Sequence, residues 1–177
     1  MRTGIFETFR KRIPWLLILM ISATFTGAII SHFEETIAAI VGGSALIAFI
    51  PMLMDTGGNA GSQSSVTVVR GLALGEIRFS DFFRILWREC RVAMLCGIVL
   101  AMCNFVKVLL IDKLLLGNQS ITPLIALVVC MTLFVTVLAA KIVGCILPLT
   151  AQKLGFDPAV MASPFITTIV DALSLII

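Results

Sequence analysis

Charge is what this sequence has least of. Asp, Glu, Lys and Arg make up 13% of its 177 residues, where soluble domains carry roughly 25%. The 59% hydrophobic content and the mean hydropathy of +1.11 exclude an ordinary soluble fold, and the apolar runs leave little room for a soluble domain beside them. Strict alternation of apolar and polar residues is missing as well. That excludes a membrane barrel, and helices are then the one way to satisfy every backbone group in lipid. The expected fold is all-α: one polytopic bundle of five transmembrane helices.

Residues that bind soft metals or carry redox chemistry are equally sparse. His32 is the single histidine and falls in an expected loop, with no role assigned. The cysteines at 90, 96, 103, 130 and 145 show neither CxxC spacing nor a histidine neighbour, so they read as small apolar packing residues rather than disulfide or zinc ligands. The arginines between 70 and 91 lack the surrounding soluble surface that a nucleic-acid site needs.

What is present divides into apolar runs and short connections. Residues 1–12 hold Arg2, Arg10, Lys11 and Arg12 beside an Ile5, Phe6, Phe9 face, as in an interfacial segment. Residues 13–31 are uncharged, long enough to span, with Trp15 as an anchor; a signal peptide is the weaker reading, since further spans follow and no clear cleavage site does. An acidic loop is expected at 32–36, then a second run at 37–54, a third at 92–111, a fourth at 122–149 and a fifth from 159. Lys107 and Lys141 interrupt the third and fourth runs near their ends, where snorkelling is the plain reading. Counting charges places Arg2, Arg10, Lys11, Arg12, Arg70, Arg78, Arg84, Arg88, Arg91 and Lys153 on one side and Lys113 on the other. The positive-inside rule then predicts a cytoplasmic N-terminus and an external C-terminus.

The second run leads straight into residues 51–65, PMLMDTGGNAGSQSS, where polar groups stand in place of hydrocarbon. Steps of four link Asp55, Asn59, Gln63 and Thr67 into a polar stripe. Gly57, Gly58 and Gly61 allow a kink, unwinding, or close approach of another helix. The fifth run carries a second stripe, Ser163, Thr167, Asp171 and Ser174, with Thr168 beside it. Carboxylates at membrane depth usually face a polar path. Two stripes turned toward one path, offering carboxylate, amide and hydroxyl oxygens, suit a hard cation such as magnesium, calcium or sodium. So few carboxylates would hold a magnesium ion that keeps most of its water.

Those segments, followed by VRGLALG at 69–75, GFDP at 155–158, Ser163-Pro164 and TIVD at 168–171, closely resemble the transmembrane domain of the MgtE-type magnesium channels. The resemblance runs from about residue 12 to the end. It implies a homodimer whose pore is lined by the second and fifth helices of both subunits, in a bacterial inner membrane. The family's pore aspartate falls on Asp171, aided by a backbone carbonyl near Thr167, and its cytoplasmic-mouth aspartate falls on Asp157, at a secondary magnesium site. Ser163 and Asp55 sit where family members differ; for Asp55 a pore role and a structural hydrogen bond both stay open. The family's cytosolic helical and CBS domains, which close the pore at high internal magnesium, have no counterpart here, so residues 1–12 read as a remnant of the linker to them and 13–177 as the channel domain.

Three rivals stand beside a channel. A proton- or sodium-coupled transporter of divalent cations would also use broken helices and midplane carboxylates. An aspartic protease would use Asp55-Thr-Gly with Asp171, but the remaining glycines and amides do not fit a catalytic turn. Helix-to-helix adhesion explains the glycines and hydroxyls, yet not two carboxylates.

Overall fold

The computed structural model describes residues 4–40, 43–155 and 157–177, with the side chains of 8, 11, 12, 15 and 159–164 left out. Arg2, Lys11, Arg12, the Trp15 anchor and the Ser163 side chain therefore lie outside the described residues. Among those described, the chain is helical throughout, without a strand.

The first helix, α1 (Ile5–Ala38), is longer than expected at both ends. It absorbs the described part of the interfacial segment and the acidic loop foreseen at 32–36. Glutamate and alanine favour helix, and nothing at 32–38 breaks it. The chain turns only beyond Ala39, whose N–H closes on Glu35 C=O at 3.2 Å.

The second run divides in two. A short α2 (Gly43–Ile47) is followed by a turn, and α3 (Ile50–Ala73) begins where Pro51 occupies the first helical turn. Proline fits there because its missing N–H has no partner to lose. Pro51 therefore starts a helix rather than kinking one, and the glycines that follow stay inside it. Its end is a Schellman turn: Gly75 takes φ +70°, its N–H bonds Leu72 C=O at 3.1 Å, and Glu76 N–H bonds Gly71 C=O at 3.0 Å.

A single 3₁₀ turn (Phe79–Asp81) leads into α4 (Phe82–Lys107), which continues as a π-helical stretch, Val108–Leu115. Residues five apart meet in that geometry. Lys107 Nζ accordingly sits 2.8 Å from Asp112 Oδ2, and 5.6 Å from the Phe49 ring centre. Thr122 then caps α5 (Pro123–Lys153), its Oγ1 accepting from Ile125 N–H at 3.2 Å. Finally, Gly155, at φ +79°, ends that helix and α6 (Pro158–Ile176) completes the chain.

Helix α5 is the hub. It packs extensively against α3, α4 and α6, while α1 touches mainly α6 and α2. The central cluster joins Leu53 and Ala60 of α3, Leu133, Val137 and Ala140 of α5, and Ile166 and Val170 of α6. Close approach, the third possibility the glycines allowed, is the one realised. A Cβ on Gly61 would lie 2.8 Å from Ile166 Cγ2 and 3.0 Å from the Ala140 carbonyl oxygen, and one on Gly144 would run into the Gly61 carbonyl. Gly57 is enclosed likewise, its Cβ position 2.7 Å from Thr136 Cγ2 and 2.8 Å from Val170 Cγ1.

Lys107 reaches its end of the bundle as expected. Lys141 does not: it is 4% exposed.

A side chain at position 61 must displace backbone. Gly61→Val is expected to destabilise the fold by about 1–3 kcal/mol or more, the usual cost of overpacking, read as a lowered thermal midpoint in detergent. Gly27→Ala on α1, with nothing within 4 Å of its Cβ position, serves as the control and should not lower it.

Candidate functional site

The polar stripe on α3 is set by what the helix must bury. With Gly57, Ala60, Gly61, Ser64 and Ser65 turned into the bundle, the larger polar residues are left on its outer arcs. Each step of four exceeds a full turn by about 40°, so the stripe winds around the helix. Asp55 and Gln63 consequently face different grooves, and Asn59 stands between them.

The first groove, of about 450 Å³, lies between α3, α6 and Ile30 of α1. Asp55, Gly58, Asn59 and Ser62 line it from α3, with Thr167 and Asp171 opposite. Two of the three carboxylates named from the sequence, Asp55 and Asp171, thus line one cleft together with Asn59 and Thr167. Asn59 Nδ2 donates to Asp55 Oδ2 at 3.2 Å, which leaves the amide oxygen to accept elsewhere. Asp55 and Asn59 are exposed and Asp171 is half-buried. Gly58 makes the floor, its Cβ position 3.8 Å from Thr167 Cγ2.

Other residues of the two stripes stand elsewhere. Gln63 lines a second groove, with Thr56, Asn59 and Lys141. Ser174 is buried, donates back to the Val170 carbonyl at 2.7 Å, and lines a separate, mostly apolar cavity near Leu53. Thr168 is half-buried and is not among the groove residues. Asp157 is exposed at the turn between α5 and α6.

Sequence reasoning missed one polar contact. Glu89, which falls among the arginines between 70 and 91, is 7% exposed on α4 and accepts a 2.7 Å hydrogen bond from Ser64 Oγ of α3. The available signal was its place between Leu86 and Ala93, both on the buried side of the helix. Ser62, another groove residue, belonged to neither stripe.

Two carboxylates, an amide and hydroxyls make an acceptor-rich surface for a hard cation. Among the described residues no three His, Cys, Asp or Glu side chains converge. The groove therefore offers too few charges to replace an ion's water shell, and suits an ion that keeps it.

Three of these helices are long and apolar enough to cross a bilayer, and such a bundle is a multi-pass membrane protein. Residues 50–177 match the family model MgtE, "Divalent cation transporter", and the chain belongs to that family. It is 36% identical over 167 residues to "Magnesium transporter MgtE" of Bacillus subtilis (strain 168), covering 94% of this chain and 35% of that protein. It is 33% identical over 166 residues to the protein of the same description from Thermus thermophilus, again covering 94% of this chain and 34% of the relative. The Enterococcus faecalis relative is 34% identical over 167 residues, with 94% and 34% covered. The chain spans about a third of the length of these relatives.

Accessibility distinguishes the two environments. In a cysteine-free background, Ser62→Cys and Thr167→Cys are expected to react with a water-soluble, membrane-impermeant thiol reagent from a site open to water. Ser174→Cys should react at least about tenfold more slowly, because its side chain is enclosed.

Proposed function

We infer that this chain is the ion-conducting part of a magnesium channel. The groove shared by α3 and α6 carries this reading, because it gathers Asp55, Asn59, Thr167 and Asp171 on one open face. Two copies pair so that the faces meet, and α3 and α6 of both subunits enclose one pore across a bacterial inner membrane. Five helices span the bilayer in each subunit, with the N-terminus cytoplasmic and the C-terminus outside. The names of the relatives, magnesium transporters all three, support the choice of ion.

Two Asp171 carboxylates face a largely hydrated magnesium ion, with a backbone carbonyl near Thr167 and the Ser163 hydroxyl assisting. Asn59, Gln63, Thr168 and Ser174 belong to the polar shell of the wall. Asp55, already held by Asn59, contributes charge at the groove's edge rather than a direct ligand. Asp157 serves a secondary magnesium site at the mouth. No bond is made or broken, so the role is not enzymatic.

The test is growth rescue and flux. In cells deficient in magnesium uptake, Asp171→Ala is expected to lower uptake by about tenfold or more, the loss of one charge-assisted contact of about 1.5–3 kcal/mol. Asp55→Ala should retain part of the activity. Rescue by Asp171→Ala at the parent's level would remove the central residue. In proteoliposomes, magnesium entry should persist without a proton or sodium gradient; collapse of entry would replace the channel by a coupled transporter.

A further inference from the structure

The second groove, on the other side of α3, contains an unexplained cation. Lys141 is 4% exposed and has neither a hydrogen bond nor an ion pair with any described residue. The buried carboxylate of α4, Glu89, accepts from Ser64 and makes no ion pair with Lys141. An ammonium group that opens on a groove at membrane depth without a paired anion is costly, and such residues in membrane proteins usually have a counter-charge.

The groove's shape says what kind of anion would fit. It holds about 570 Å³, with Thr56, Asn59 and Gln63 on the α3 side and an apolar wall of Leu95, Val99 and Leu100 on α4. Helices α4 and α5 run antiparallel, with Gly97 against Phe134 and with Ile85 and Leu86 against Cys145 and Leu149. Lys141 therefore stands at the level of Cys90 and Arg91. That level adjoins the interfacial belt of α4, where Trp87, Arg84, Arg88 and Arg91 are exposed. Arg91, Leu95 and Val99 follow one another at steps of four along one exposed face. Cationic and amide groups thus lie at the interfacial end, and apolar wall continues from there toward the middle of the bilayer.

We propose that this groove binds an anionic phospholipid, its phosphate received by Lys141, Gln63 and Arg91 and one acyl chain lying along Leu95 and Val99. A free inorganic anion would leave the apolar wall unused, and a zwitterionic lipid brings no net charge to offset the lysine. Basic pockets between membrane helices at the interface bind anionic headgroups on the same physical grounds. Asn59 lines both grooves, so an occupant also braces the wall of the ion path.

The experiment is native mass spectrometry of the delipidated full chain, offered phosphatidylglycerol or phosphatidylcholine of identical acyl chains. The parent should retain phosphatidylglycerol about tenfold better, Lys141→Arg should keep that preference, and Lys141→Met should lose it. Val99→Trp, which fills the apolar wall and leaves the lysine in place, should weaken retention and covers the case in which Lys141→Met does not fold. An undiminished preference in Lys141→Met and Val99→Trp would assign the lipid to the exposed arginines alone and overturn the proposal. So would equal retention of the two lipids by the parent, displacement by oleate as readily as by phosphatidylglycerol, or membrane cross-linking of Val99→Cys to a second copy seated on the groove.

Discussion

The backbone of α3 lies directly against the backbone of α5, and the rest of the bundle is arranged around that contact. Gly144 faces the Gly61 carbonyl with no room for a methyl group, and Gly61 in turn faces the Ala140 carbonyl. In lipid, apolar surface gains little by leaving the solvent, so helices associate through close packing and polar contacts. Bringing two axes this near requires the inward face of α3 to be made of Gly57, Ala60, Gly61, Ser64 and Ser65. Larger polar side chains are thereby displaced to either flank. The two grooves are a consequence of that displacement.

The flanks differ in sign. One groove presents Asp55 and Asp171, the other Lys141, and Asn59 is common to both. A helix interior of glycine, alanine and serine separates a region favourable to cations from one favourable to anions. The Ser64–Glu89 hydrogen bond ties α3 to α4 near the arginine-rich end. At the other end, Lys107 links Asp112 to the Phe49 ring at the start of α3. Helix α3 is held at both ends and along its length; under the proposed function that rigidity suits the wall of an ion path, since small displacements change its electrostatics steeply.

Much of this was legible in the residues. Continuous apolar runs with few charges gave the all-helical class, and the glycine spacing foretold the close packing of α3. Pro51 was less transparent, because proline at a helix start and proline at a kink look alike without knowing where the preceding helix stops. The acidic loop at 32–36 failed as an expectation because charge was taken for a break, while glutamate is a good helix former. Periodicity in steps of four could place Asp55 beside Asn59 and Thr167 beside Asp171. It could not keep Gln63 in the same groove, since the 40° excess per step accumulates. Glu89 and Lys141 were hidden for a related reason: near the ends of spans, a charged residue facing the interior and one snorkelling outward have the same sequence.

The groove itself bears on assembly. Asp55 and Asn59 are exposed, so in a single protomer within a bilayer a carboxylate would confront lipid. A surface of that kind is stable only if something polar covers it. Under the proposed function, a second copy does so, and a two-fold axis is the simplest closed solution because it lets one patch meet itself. The same symmetry would double Asp171 at the axis, giving two carboxylates where one protomer has one. A lone carboxylate is a weak holder of a hydrated divalent ion, whereas two facing across a water shell match its charge without stripping its water. Pairing would thus serve both demands, covering the acidic groove and completing the ion's charge balance, and neither requires a residue beyond those already on α3 and α6.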